Sequence, residues 1–215
     1  MFEPQVTAFA LLAFSSLFSV INPISAAPIF VMLTEGRDKP ARRRVALRAS
    51  LAALLTLALF AAAGGAIFAF FGITVPAFQI AGGVLFTAMS LRTLREGRED
   101  VPEDEAARED PSIVPLGIPL IAGPGAISTV MVLIGQAQSG AARLALGAAL
   151  LLNIALTLLI LLAAPAIVAA IGETGQKIVA KIMGLITVVI GIQFVINGAT
   201  TVIVSILKSA GFAPR

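Results

Sequence analysis

FSVINPISAAPIF, residues 18–30, and IPLIAGPGAIST, residues 118–129, are two apolar stretches with proline near their centres. Asn22-Pro23 interrupts the first stretch, and Gly123-Pro124-Gly125 interrupts the second. Proline removes a backbone donor and clashes with the preceding helical turn, and glycine weakens a helix further. Inside a bilayer, such breaks are tolerated only where they are buried in protein or line a cavity. Both stretches are therefore predicted to be membrane helices broken at a cavity.

The composition indicates a polytopic helical membrane protein. Of the 215 residues, 58% are hydrophobic and 13% are charged, and the mean hydropathy is +1.00. The first residues, MFEPQVTAFALL, contain no basic side chain. A cleaved secretory signal is not expected there, and the first apolar stretch is predicted to stay in the lipid bilayer.

Six stretches can cross a bilayer core of about 30 Å, which takes about 20 apolar residues. They lie near 5–34, 45–71, 76–95, 112–135, 142–171 and 178–207. The strongly charged segment 96–111 is predicted to be a cytoplasmic linker between residues 1–95 and residues 112–215. Each part then holds three helices.

Charge counting predicts the orientation. The first, third and fifth connections carry six, four and two basic residues, whereas the opposite side carries only Arg143, Lys208 and Arg215. The positive-inside rule places the basic connections in the cytoplasm and both termini outside it. The predicted location is the inner membrane.

The two parts of the chain are predicted to be inverted repeats. Pro23 matches Pro124 and Gly83 matches Gly184, and RVALRASLAALLTLAL from Arg44 aligns with RLALGAALLLNIALTL. Because three spans are an odd number, the second repeat must enter the membrane from the other side. The predicted fold is all-α, with six transmembrane helices in two inverted repeats and with helices 1 and 4 broken.

The chemistry of the breaks favours a small zwitterionic solute. A helix N-terminus attracts a carboxylate, and unwound carbonyls accept from an ammonium group. The middle of each span lacks Asp, Glu, Lys and Arg, which a site for charged solutes would require. Gln193 and Asn197 share one helix face and are equally compatible with cavity lining and with helix packing. The predicted substrate-binding residues are Asn22, Pro23, Ser25, Gly123, Pro124, Gly125, Ser128, Thr129, Gln193 and Asn197.

Other polar and small residues are interpreted as structural. Hydroxyls in membrane helices more often bond the preceding turn or a neighbouring helix than a ligand. Gln79 and Asn153 are isolated, and the same structural interpretation applies to them. The hydroxyl residues in this class are Ser15, Ser16, Ser19, Thr56, Thr87 and Thr157, and the glycines assigned to close packing are Gly82, Gly83, Gly184 and Gly191.

Several function classes are disfavoured. The chain has no Cys and no His, and no paired carboxylates lie within a span, so an enzyme, a metal site and a cofactor are not expected. The basic residues flank apolar spans, which disfavours a nucleic-acid partner. The sequence leaves open a coupling ion (H⁺ or Na⁺), a homo-oligomer and the direction of transport.

Four segments resemble the MarC family of bacterial and archaeal inner-membrane proteins. They are INPISAAPIF at 21–30, GITVPAFQIAGGVLF at 72–86, VPLGIPLIAGPGAIST at 114–129 and KIMGLITVVIGIQFVINGA at 181–199. The resemblance implies six spans and, for some members, transport of glycine, alanine and similar amino acids. The predicted function is a secondary transporter of small neutral amino acids that works by alternating access. The alternative is an exporter or channel for other small solutes, similar to the lysine-exporter superfamily.

Overall fold

The computed structural model describes residues 4–95, 111–169 and 172–210, and this part of the chain is helical without strands. The linker predicted at 96–111 lies outside the described residues, apart from Pro111. Eight helical elements follow one another: α1 (Pro4–Ile21), α2 (Pro23–Leu33), α3 (Lys39–Phe71), α4 (Val75–Arg95), α5 (Ser112–Ile121), α6 (Pro124–Gln136), α7 (Gly140–Ala169) and α8 (Gly172–Ser209). α5 is irregular, with wide π-type turns and extended residues at Val114 and Ile118.

Four stretches among the described residues are long and apolar enough to cross a membrane: Gln5–Leu33, Lys39–Phe71, Gly140–Ala166 and Val188–Ser209. α5 and α6 form a fifth such stretch when the bent pair is counted as one span. In α4 the residues whose side chains the structure describes without a gap give a shorter apolar helix, Val75–Leu85. The prediction of an all-helical, multi-span protein is confirmed, whereas six full spans stay a prediction.

The first predicted break is a single residue. α1 ends at Ile21, and Asn22 adopts the left-handed conformation (φ 46°, ψ 65°) before Pro23 starts α2. The Asn22 backbone N–H still donates to the Phe18 carbonyl at 2.9 Å, and its side-chain oxygen accepts from the Ser25 N–H at 3.3 Å. Asparagine tolerates this conformation better than most residues because its short polar side chain bonds locally. α1 and α2 therefore follow each other across one left-handed residue, and the backbone N–H of that residue keeps its helical hydrogen bond.

A pair of caps joins α2 to α3. The Asp38 carboxylate accepts from the Ala41 N–H at 2.8 Å and so caps the start of α3. The Arg42 Nε donates to the carbonyl of Thr34, the C-cap of α2, at 3.2 Å. Side-chain partners of this kind satisfy the backbone groups that helix ends leave unpaired.

The same caps recur between α6 and α7. Ser139 Oγ accepts from the Ala142 N–H at 3.1 Å, and Arg143 Nε donates to the carbonyl of Ala137, the C-cap of α6, at 3.4 Å. Ser139 and Arg143 each follow their counterparts Asp38 and Arg42 by 101 residues. The sequence alignment that paired Arg44 with Arg143 is therefore shifted by two residues relative to the cap contacts. Leu/Ala-rich helices match one another in several registers, which explains the shift.

α4 and α8 pack along most of their described length. A Cβ on Gly83 would lie 2.6 Å from the Gly191 carbonyl oxygen, and one on Gly198 would lie 2.7 Å from that of Pro76. The backbones of the two helices are therefore in direct contact, as small residues allow in membrane proteins. The predicted packing role of Gly83 and Gly191 is confirmed.

The remaining helices enclose the core. α1 and α2 pack on α7, while α5 and α6 pack on α3, and α3 and α7 contact each other. Buried apolar side chains of these six elements form one cluster that includes Leu17, Phe30, Leu57, Leu116 and Leu161. Many other large apolar side chains are exposed, such as Leu144 at 77%. Lipid contact explains exposed apolar surface on this scale.

Asn153 connects α7 to α1 inside this core. It is fully buried, and its Nδ2 donates to the Phe14 carbonyl at 3.2 Å and to the Ala149 carbonyl at 2.9 Å. Thr157 donates to the carbonyl of Asn153, and Thr87 donates to that of Gly83. The structural interpretation of these three residues is confirmed.

Candidate solute site

The second predicted break is a bend between α5 and α6. The two elements meet at 56°, and Gly123, in an extended conformation, precedes Pro124 at the first position of α6. A Cβ on Gly123 would lie 2.5 Å from the Pro119 carbonyl oxygen, so only glycine allows the chain to turn back this closely. No side chain caps the start of α6, although Gly123 and Pro124 are buried.

The two interruptions approach each other. A Cβ on Gly125 would lie 2.9 Å from a methyl carbon of Val20, two residues before Asn22, and 2.8 Å from the Phe194 ring. Pro124 packs directly against Gly82 of α4, with no room for a side chain there. The start of α6 is therefore enclosed by α1, α4 and α8.

A cavity of about 570 Å³ lies beside α6, beginning one turn beyond Pro124. Four helices line it: α1, α4, α6 and α8. Its polar lining residues are Ser16, Gln79, Ser128, Thr129, Gln136 and Thr201, and its apolar ones are Leu12, Val75, Pro76, Val132 and Leu133. The described lining residues carry hydroxyl and amide groups, and none of them is charged. It extends towards the end of the molecule where Val75 and Gln136 lie, at the start of α4 and the end of α6.

A chain of hydrogen bonds connects the cavity to the bend. Gln79 Nε2 donates to Ser128 Oγ at 2.9 Å, and Ser128 Oγ donates to the Pro124 carbonyl. Ser128 is buried, whereas Gln79 is half-buried. α4 therefore contacts the first turn of α6 through a polar link as well as through Gly82.

The structure distributes the predicted binding residues among different environments. Ser128 and Thr129 line the cavity, and Gly123, Pro124 and Gly125 form the bend next to it. Asn22, Pro23 and Ser25 lie at the first interruption, outside this lining. Gln193 Nε2 donates to Asn197 Oδ1 at 2.8 Å, so the two amides pair with each other, also outside this lining.

Four polar lining residues were not among the predicted binding residues: Ser16, Gln79, Gln136 and Thr201. Ser16 was assigned a structural role because hydroxyls in membrane helices more often bond the preceding turn or a neighbouring helix, and Gln79 because it is isolated. Gln79 in fact both bonds Ser128 and faces the cavity. Its signal in the sequence was an uncharged amide within VPAFQIAGG, a segment otherwise free of strong hydrogen-bonding side chains.

Comparisons with known proteins agree with this architecture. Residues 7–203 match the MarC family integral membrane protein profile. The chain is 40% identical over 195 residues to a UPF0056 membrane protein of Methanocaldococcus jannaschii, covering 88% of this chain and 95% of the relative. It is 32% identical over 191 residues to the UPF0056 membrane protein YhcE of Escherichia coli, covering 86% and 89%.

A third relative, the UPF0056 membrane protein YvbG of Bacillus subtilis, is 34% identical over 199 residues, which covers 87% of this chain and 92% of the relative. No solved structure matches the chain. The family match over nearly the whole length and the multi-span helical fold lead to the same assignment. The chain belongs to the MarC family of integral membrane proteins.

Proposed function

We propose that this protein is a secondary transporter of small neutral amino acids, of the glycine, alanine and serine class. The observation that carries the proposal is the 570 Å³ cavity beside the bend of α5 and α6, with its uncharged polar lining. Its size falls within the range of roughly 300–1,000 Å³ found for small-molecule sites. The proposal is transport without catalysis.

The lining favours a solute without net charge. An ionic solute at membrane depth needs a counter-charge, whereas Ser, Thr and Gln side chains serve both ends of a zwitterion by hydrogen bonding. Several apolar side chains share the lining and leave little room for polar contacts along a long substrate. A small amino acid satisfies both conditions.

The packing supports a six-span inverted repeat, with α1–α2 equivalent to α5–α6, α3 to α7, and α4 to α8. α1 and α2 pack on α7 as α5 and α6 pack on α3, and α4 packs on its own equivalent, α8. A twofold axis in the membrane plane exchanges these contacts. In this arrangement α2 and α6 are the second halves of two broken membrane helices, as in transporters built from inverted repeats.

In the proposed orientation both termini lie outside the cytoplasm, in the inner membrane. Arg37, Lys39, Arg42, Arg43, Arg44 and Arg48 lie near or within the start of α3, whereas only Arg143 lies near the start of α7. The cavity, which extends towards the connections at 72–74 and 137–139, would then open outward. Alternating access requires a second state in which this opening closes.

The test is uptake of labelled alanine by proteoliposomes containing the purified protein, with and without H⁺ and Na⁺ gradients. We expect protein-dependent flux that unlabelled glycine and serine inhibit and that lysine and glutamate do not. Thr129→Trp, which places a bulky ring in the cavity next to Ser128, should abolish flux. Val189→Trp, at an exposed apolar position of α8, is the matched control and should retain it.

Absence of flux for every neutral amino acid would overturn the proposal. Flux of other small solutes, with alanine excluded, would favour the alternative of an exporter or channel with a different substrate. The ion gradient that raises uptake identifies the coupling ion.

A further inference from the structure

Gln79 occupies a distinctive place in the cavity. It lies on α4, lines the cavity, and is half-buried. A primary amide has two N–H donors and one carbonyl acceptor. The structure records one of these in use, the Nε2 donation to Ser128 at 2.9 Å. The amide therefore has capacity to bind a solute while it keeps its contact with α6.

Ser128 connects Gln79 to the bend between α5 and α6. Its hydroxyl accepts from Gln79 and donates to the Pro124 carbonyl, in the first turn of α6. Any movement of the Gln79 amide therefore changes a hydrogen bond that ends at the proline after the bend. Gln138 offers a contrast, because it is exposed beyond the end of α6 and is not among the lining residues of the cavity.

We propose that Gln79 is the residue that binds the ammonium group of the solute, and that through Ser128 it couples occupancy of the cavity to the first turn of α6. This inference rests on the proposed transport of small neutral amino acids. The amide carbonyl accepts from the ammonium group, and the Nε2 donor keeps its bond to Ser128. Neutral hydroxyls nearby, such as that of Thr129, complete the solute's hydrogen bonds.

The first arm of the test compares Gln79→Ala with Gln138→Ala in the alanine uptake assay. Loss of the binding group should raise the KM for alanine about 10-fold, which corresponds to about 1.4 kcal/mol of binding free energy. Because the link to α6 is lost as well, Vmax should also fall. Gln138→Ala should change KM by less than about 3-fold.

The second arm changes the charge at the same position. Gln79→Glu keeps the shape of the side chain and places a carboxylate in the cavity. The affinity for cationic alaninamide should therefore rise relative to the affinity for zwitterionic alanine. We expect alaninamide to compete about 10-fold better against labelled alanine, relative to wild type. Gln138→Glu adds the same charge at an exposed position outside the cavity lining and should leave the ratio of the two affinities nearly unchanged.

The outcomes separate the two proposals. If wild type shows no flux of neutral amino acids, the proposed function fails, and this inference fails with it. If wild type transports alanine but the Gln79 variants behave like the Gln138 variants, only the assignment of Gln79 is overturned. If Gln79→Ala does not fold, the ratio of the affinities for alaninamide and alanine is measured in Gln79→Glu and Gln79→Asn. A ratio that is unchanged from wild type in both variants overturns the assignment.

Discussion

Arg42 and Arg143 lie 101 residues apart and make the same contact at two different helix ends. Arg42 donates from Nε to the C-cap carbonyl of α2 at 3.2 Å, and Arg143 does so to the C-cap carbonyl of α6 at 3.4 Å. α2 and α6 are the two short helices that follow the interruptions. Arg42 and Arg143 are therefore equivalent residues at the ends of α2 and α6. This equivalence supports the proposed repeat.

The two arginine caps are expected to contribute unequally to the stability of the protein. Arg42 is half-buried, so Arg42→Ala should lower the free energy of unfolding by about 1–2 kcal/mol through loss of a charged hydrogen bond. Arg143 is exposed and its bond is longer, so Arg143→Ala should cost less than about 1 kcal/mol. Unfolding in detergent measures both. Arg43→Ala removes the same charge from an exposed position and is the control; equal effects of Arg42→Ala and Arg43→Ala would contradict the prediction.

The left-handed conformation of Asn22 predicts a difference between two substitutions. Asn22→Ala should destabilise the protein by about 1–2 kcal/mol, because alanine disfavours φ of 46°. Asn22→Gly should stay within a few tenths of a kcal/mol of wild type, since glycine accepts this conformation and replaces a cap at small cost. Thermal melting of the three proteins tests this, and an alanine variant as stable as wild type would refute it.

The same two variants separate the backbone role of Asn22 from a role in solute binding. If only the backbone matters, Asn22→Gly should transport alanine at the wild-type rate. If the side-chain amide contacts the solute in one state of the cycle, Asn22→Gly should fold normally but lose flux. The proteoliposome assay distinguishes the two results.

Close contact between α4 and α8 predicts that Gly191 cannot gain a side chain. A Cβ there would lie 2.8 Å from the Thr87 backbone nitrogen and 3.0 Å from the Gly83 carbonyl oxygen. Gly191→Ala should therefore cost about 1–3 kcal/mol, because backbone atoms cannot move aside cheaply. Gly147→Ala, which meets nothing within 4 Å, is the control and should be neutral or stabilising. Similar melting temperatures for both variants would show that α4 and α8 are less closely packed.

The absence of cysteine makes the proposed orientation directly testable. Single cysteines at Arg43 and Ser139 lie near the starts of α3 and α7, which the proposal places on opposite sides of the membrane. In intact cells, a membrane-impermeant thiol reagent should label Ser139→Cys but not Arg43→Cys. In inverted vesicles the pattern should be reversed. Labelling of both from one side would refute the inverted arrangement of the two halves.

The sequence is informative about helix starts because proline acts locally. Pro23 and Pro124 each stand at the first position of a helix, where the missing N–H donor costs least, whereas two broken membrane helices stay a prediction. The sequence was less informative about register. Arg44 was aligned with Arg143, whereas the caps match Arg42, because the alignment depended on leucine and alanine rather than on the capping residues.

The residues that line the cavity overlap only in part with the predicted binding residues, for a related reason. Ser128 and Thr129 line the cavity and directly follow the proline that marked the region. Gln79, Ser16, Gln136 and Thr201 come from distant parts of the chain, and no local pattern brings them together. Their proximity depends on how α1, α4 and α8 pack around α6.

By itself the sequence determined that the protein lies in a membrane and which segments form its helices. Its long apolar stretches can lower their free energy only in lipid or in a core, and Pro23 and Pro124 stand at the first positions of two helices. The tertiary structure decided which uncharged polar groups share one cavity and which pair with each other, as Gln193 and Asn197 do. Contacts between residues far apart in the chain depend on the packing of whole helices, and one side chain's chemistry does not specify that packing.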